Sequence, residues 1–151
     1  MESPLALTRN DTGLLIVDIQ ERLCVAMEPE ALERMVQATR ILIQGADVLG
    51  LPVVLSEQYP RGLGTTIAGI AEVLPEGTVR HDKTAFSCCR DTGLRETIVD
   101  SGRSGWILAG MESHVCMFQT VRDLVAMDGF SAWIPTDAVL SRTPGNLRVG
   151  L

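Results

Sequence analysis

Three residues far apart in the chain carry side chains that can do covalent chemistry together: Asp18, Lys83 and Cys116. A thiolate is a strong nucleophile, a carboxylate can take up the thiol proton, and an ammonium group can hold both anions in place. Each follows or closes an apolar run: Asp18 ends "GLLIVD", Lys83 sits in "VRHDKTAF", and Cys116 comes after "WILAGMESHV". Each also has a plainer reading. Cys116 reads equally as a small buried hydrophobe, Asp18 as the cap of the next turn, and Lys83 as a solvent-facing amine.

Local context allows the chemical reading without deciding for it. If Ser113 caps the helix that follows, Cys116 lies in its first turn. Free backbone N–H groups and the helix dipole there lower a thiol pKa and can hold a developing oxyanion. A carboxylate that ends an apolar strand is costly to bury unless paired, and Lys83 is the cation that would pair it. The two histidines offer no substitute. His114 is two residues from Cys116 and points to another face. His81 shares a strand face with Lys83, but nothing links it to the thiol. Both read as structural or substrate-lining, and they form no HxH or HxxxH pair, so neither metal nor cofactor is expected. The four cysteines, Cys24, Cys88, Cys89 and Cys116, fit no CxxC zinc pattern and no small disulfide scaffold. They read as free thiols.

The elements that must bring these residues together are legible as an alternation. "GLLIVDIQ" is a strand buried on both faces. "PEALERMVQATRILIQGADVLG" has helical spacing and a stop at Gly50. "LPVVLSEQ" is a second strand, "YPRGLGTT" a loop, and 67–73 a short helix. "GTVRHDK" is a third strand, "DTGLRETIVDSG" a helix, "GWILAGM" a fourth strand, "SHVCMFQTVRDLVAMDG" a helix and "FSAWIPTDAV" a fifth strand. This order predicts one α/β domain over residues 1–151: a doubly wound, three-layer α/β/α fold with a parallel sheet. Such sheets bind ligands at the carboxyl ends of their strands, where Asp18, Lys83 and Cys116 all fall.

Composition narrows the partners. With 46% hydrophobic and 21% charged residues the chain matches ordinary globular proteins. Its net charge of −6 argues against nucleic acid or an anionic membrane. No apolar run reaches the roughly 20 residues of a membrane span. "MESPLALTRNDTG" has no basic and apolar leader pattern. A cytoplasmic location is the expectation.

Taken together, "LLIVDIQERL", "VVLSEQYPRGLG", "HDKTAFSCC" and "ILAGMESHVCMFQTVRDLVAMDGF" with "TDAVLSR" resemble the isochorismatase-like cysteine hydrolases. That superfamily includes nicotinamidases and N-carbamoylsarcosine amidase. The resemblance runs over roughly residues 12–142 and is strongest to the short, YcaC-like and isochorismatase-domain-containing members. It implies a triad of Asp18, Lys83 and Cys116, with Asp18 as base, Lys83 supporting the charges and Cys116 attacking a carbonyl carbon. It implies a non-proline cis peptide at Met111–Glu112, with the N–H groups of Glu112 and Cys116 forming an oxyanion hole. It also implies a small-molecule substrate and a homo-oligomer.

Three departures refine this. Nicotinamidases carry an Asp-x-His metal pattern after the second strand, where this chain has "SEQYPRG"; nicotinamide is therefore disfavoured. True isochorismatases lack the cysteine, so vinyl-ether cleavage is disfavoured too. Family members continue past "SR" with a helix, a sixth strand and a last helix, whereas this chain stops at "NLRVGL". Five strands are thus expected with a sixth missing, by truncation or because a partner completes the sheet edge. Gln20 and Phe86 lie just beyond triad residues and are expected to line the pocket. Gln58 and Tyr59 are expected to form a lid, with Gln58 touching substrate. The vicinal Cys88 and Cys89 read as small loop residues or as oxidation-prone neighbours of the site. The expected function is cysteine-dependent hydrolysis of a small amide or related C–N bond through a thioester. The alternatives are an idle scaffold of the same fold and a thiol redox protein using Cys116 with Cys88 or Cys89.

Overall fold

A computed structural model describes residues 6–151. Residues 1–5, the start of the segment read as lacking a leader, lie outside them.

The first strand, β1 (Thr12–Val17), has all six residues buried. Alternation sends its side chains to opposite faces, and both faces are covered. Leu14 and Ile16 pack with Met35, Ile43 and Ile70 from the helices α2 (Pro29–Leu49) and α4 (Ala68–Ala71). Leu15 and Val17 pack with Leu94, Ile98 and Leu124 from α5 (Thr92–Asp100) and α6 (Phe118–Val125). The remaining strands are β2 (Val53–Gln58), β3 (Arg80–Lys83), β4 (Gly105–Met111), β5 (Ser131–Trp133) and β6 (Val139–Leu140), and α1 (Glu21–Val25), α3 (Pro60–Leu63) and α7 (Pro144–Gly150) complete the helices. All the strand pairings are parallel, in the order β3-β2-β1-β4-β5, with β6 beside the end of β4. This is the three-layer α/β/α sheet expected.

Close packing of β1 against β4 dictates two glycines. A Cβ at Gly13 would lie 2.7 Å from the Trp106 ring. At Gly110, with φ of +138°, it would lie 2.0 Å from the Val17 carbonyl oxygen. Gly110 pairs with Val17 in register, so this close approach lies one residue from Asp18.

The predicted long helix holds from end to end. The Glu28 carboxylate accepts from the N–H groups of Glu30 and Ala31, Pro29 opens the helix, and Gly50 closes it in the left-handed conformation. Three expectations need correction. The third strand is shorter, Arg80–Lys83. The predicted fifth strand is two: β5 ends at Trp133, Pro135 lies between, and the chain resumes as β6 beside Gly110 and Met111. Among the described residues the sheet therefore has six strands, the sixth carved from the segment read as the fifth. "NLRVGL" belongs largely to a helix, α7, capped by the Thr143 hydroxyl, which accepts from the Asn146 N–H. No helix among the described residues is long and apolar enough to cross a membrane.

Candidate active site

The register of the sheet sets the site. Val17 lies beside Ser56 on one side and Gly110 on the other, and Gln58 lies beside Lys83. Asp18 follows Val17 directly, with φ of +53°, and its side chain is completely buried. That conformation, uncommon outside Gly, Asn and Asp, turns the chain out of β1 at the carboxyl rim.

Asp18 is held by two donors. Lys83 Nζ donates to Oδ2 at 2.8 Å and Ser56 Oγ donates to Oδ1 at 2.7 Å. Both ionic side chains of the Asp18–Lys83 pair are inaccessible to solvent. Lys83 Nζ also donates to Gln58 Oε1 at 2.6 Å and to the Phe86 carbonyl at 3.0 Å, and it lies 3.6 Å from Cys116 Sγ. Burial alone would lower the Lys83 pKa, but Asp18 and the neighbouring thiols outweigh it and the group is held above its ordinary value. Lys83 is a fixed cation.

Cys116 lies in a five-residue π-helical turn, Ser113–Met117, that joins β4 to α6. Its thiol is buried, and burial pushes its pKa up; the charge of Asp18 adds to this and Lys83 opposes it without prevailing. This corrects the expectation of a thiol lowered by a helix start. In the resting site the proton stays on sulfur. A second correction concerns Ser113, which does not cap the helix. Its N–H donates to Ser141 Oγ at 3.0 Å, its hydroxyl pairs with the Ser141 hydroxyl at 2.7 Å, and it reaches the Asn146 carbonyl of α7 at 3.2 Å. His114 Nδ1 joins the same serine at 3.1 Å. The segment after β6 therefore braces the turn that carries the thiol.

The peptide bond Met111–Glu112 is cis. The Glu112 N–H makes no hydrogen bond to another described residue. The Glu112 carboxylate is gripped by Arg142, whose Nη2 donates to Oε1 at 2.7 Å and whose backbone N–H donates to Oε2 at 3.1 Å. Burial would raise the Glu112 pKa, but the Arg142 bonds win and lower it. A lowered carboxylate adds stability above its unfolded pKa and loses it as pH falls through the folded value. Arg142→Ala is therefore expected to cost about 1 kcal/mol near neutrality, since Arg142 is half exposed. The cost disappears in acid, and urea titrations at the two pH values measure it.

The expected lining residues divide. Gln58 meets Lys83, and its Nε2 donates to the Thr84 carbonyl at 2.9 Å. Phe86 gives Lys83 its carbonyl, while the residue as a whole is 52% exposed. Tyr59 is exposed and begins the next turn with φ of +37°. Gln20, also expected to line the pocket, has a bracing role in the fold. It is fully buried, donates to the carbonyls of Gln58 and Gly64 and accepts from the Gln58 N–H, so it ties the loop after β2 to the end of β1. Sequence reasoning gave no role to Ser56, Ser141 or Arg142. "LSR" stood among the resembling motifs without a role, and Ser56 was legible only as a polar residue ending an apolar strand.

All four cysteines are free and buried. Among the described residues no group of three or more His, Cys, Asp or Glu side chains is arranged to hold a metal ion. Glu57, beside Ser56, is occupied otherwise: it accepts from the Thr66 N–H at 2.7 Å and the Thr66 hydroxyl at 2.6 Å.

The fold and site define a class: a doubly wound α/β protein that gathers an acid, an amine and a thiol at the carboxyl rim of its sheet. Comparison with known proteins gives that class a name. The isochorismatase domain profile matches residues 12–150, and the chain belongs to the isochorismatase family. Isochorismatase domain-containing protein 1 of Danio rerio is 41% identical over 105 residues, covering 68% of this chain and 35% of that protein. The chain thus spans about a third of that relative's length. A solved structure described as MAR1 ribonuclease from Caenorhabditis elegans superposes with a TM-score of 0.87 at 32% identity, covering 95% of this chain and 72% of that one. The YcaC gene product of Escherichia coli, described as an octameric hydrolase of unknown specificity, shares the fold with a TM-score of 0.85 at 19% identity, covering 99% of this chain and 74% of that one.

Proposed function

We propose that the protein is a cysteine-dependent hydrolase that cleaves a small amide or related C–N bond through a thioester. The observation that carries this reading is the buried contact of Lys83 with both Asp18 Oδ2, at 2.8 Å, and Cys116 Sγ, at 3.6 Å.

The chemistry follows from the protonation states. Asp18 takes the Cys116 proton as sulfur forms a bond to the carbonyl carbon. Lys83 stays protonated and stabilises whichever of the two groups carries the negative charge. The oxyanion forms toward the N–H groups of Glu112 and Cys116; the free N–H of Glu112 supports that assignment. The C–N bond then breaks, and the departing amine takes its proton from Asp18. Water attacks the thioester, Asp18 accepts a proton from it, and the thiolate leaves and is protonated again. Gln58 and Phe86 stand nearest Lys83 and are the proposed substrate contacts, Gln58 through its amide and Phe86 through its ring. The net charge of −6 weighs against a polyanionic substrate and for a small one. A homo-oligomer is part of the same reading, as the family resemblance implies.

The test is ammonia or amine release from a panel of small amides, with the acyl-enzyme sought by intact-protein mass spectrometry. Turnover and a Cys116-linked acyl adduct are expected, and both vanish in Cys116→Ala. Turnover that survives Cys116→Ala would sink the reading.

A further inference from the structure

Two side chains donate to Asp18 within 3 Å, Lys83 and Ser56, and only Lys83 is charged. The second, Ser56, is fully buried and reaches Oδ1 at 2.7 Å. An ionised carboxylate has no proton to give, so the Ser56 hydroxyl hydrogen is committed to Asp18. Its oxygen keeps the capacity to accept. Cys88 fills it: Cys88 Sγ lies 3.5 Å from Ser56 Oγ, with the S–H donating. Cys88 is itself completely buried, and its backbone N–H donates to Thr120 Oγ1 at 3.0 Å, which fixes it against α6. Burial pushes the Cys88 thiol up to about 11, so it remains a donor at neutral pH. The chain of bonds runs one way, from Cys88 through Ser56 to the acid.

We propose that Ser56 is a positioning residue for Asp18, oriented in turn by Cys88, and that this pair keeps the acid available to the Cys116 thiol. The inference rests on the reading of Asp18 as the base for Cys116. The titratable groups facing Asp18 are Lys83 from β3, Cys116 from the turn before α6, and Cys88 behind Ser56. Ser56 is the uncharged donor among them. A donor to the ionised form favours ionisation, so its removal shifts protonation of the acid to higher pH. Oδ1 also loses the contact that fixes the plane of the carboxylate.

The experiment is the rate of Cys116 alkylation by iodoacetamide, resolved by peptide mass spectrometry, from acid to neutral pH. In Ser56→Ala the acidic limb is expected to move up by about one pH unit, a roughly tenfold loss of labelling rate at a pH on the limb. Ser56→Thr, which keeps the hydroxyl, leaves the limb near its original place. Cys88→Ala moves it in the same direction by less, and Cys88→Ser restores it. A role confined to packing would lower the unfolding midpoint without moving the limb. A Ser56→Ala profile that superimposes on the parent profile, while Asp18→Asn alters it, overturns the inference and leaves Asp18 as the base. A parent profile that climbs steadily with pH and superimposes on that of Asp18→Asn overturns the reading of Asp18 and this inference with it. If Ser56→Ala does not fold, the Cys88 variants decide, and superimposed profiles for Cys88→Ala and the parent overturn the proposal.

Discussion

Lys83→Met lowers the free energy of unfolding by about 3–5 kcal/mol at neutral pH, the usual consequence of removing one partner from a buried ion pair. The methionine fills the volume of the lysine stem, so the loss is electrostatic and not a cavity. Asp18 keeps the Ser56 donor but loses Nζ from Oδ2, and the Gln58 amide oxygen and the Phe86 carbonyl lose the same ammonium. Urea unfolding checks the magnitude, and its pH dependence checks the cause. With the cation gone, a buried acid is cheaper protonated, so the folded variant binds a proton that the unfolded chain has already released. Its stability relative to the parent therefore improves as pH falls. Asp18→Asn combined with Lys83→Met removes the uncompensated charge and is expected to be more stable than Lys83→Met alone. A loss below about 1 kcal/mol with no pH dependence would mean that Asp18 is not held as a buried anion.

The parts of the fold that sequence made legible are those where burial imposes a pattern by itself. β1 is buried on both faces and reads as a continuous apolar run; α2 carries a cap, a proline and a terminal glycine at its ends. The rim positions of Asp18, Lys83 and Cys116 followed from the strand ends. What stayed hidden depends on neighbours distant in sequence. The Ser56–Asp18 bond joins residues 38 apart, and Ser113–Ser141 residues 28 apart, so neither leaves a local signature. β6 has two residues and no periodicity to detect. The direction of the Cys116 shift was misjudged for a related reason. A helix start and a nearby lysine argue for a low thiol pKa when the site is imagined from the chain alone. Burial beside an anion reverses the sign, and both are properties of the assembled sheet.

That reversal changes what the thiol should look like in solution. A cysteine activated by a lowered pKa labels faster as pH rises through that pKa and then levels off. In the proposed mechanism the proton stays on sulfur until Asp18 takes it, so the transfer is internal to the pair. The reactive arrangement, thiolate beside protonated acid and charged lysine, then forms without exchange with solvent. The alkylation rate of the parent protein is therefore expected to be flat with pH above its acidic limb. In Asp18→Asn that internal transfer is gone, and labelling must wait for solvent to remove the proton. The rate should then climb about tenfold per pH unit up to the thiol's own pKa, which falls because Lys83 is no longer opposed. Labelling in alkaline solution is accordingly expected to equal or exceed that of the parent, while amide hydrolysis falls by roughly 10²–10⁴, since the departing amine has also lost its acid. Stopped-time alkylation and amide turnover on the same two proteins measure both. A steep parent profile would assign activation of Cys116 to solvent and remove Asp18 from the proton transfer. A flat parent profile beside a steep Asp18→Asn profile would place the proton between sulfur and carboxylate, within the buried cluster of Asp18, Lys83 and Cys116.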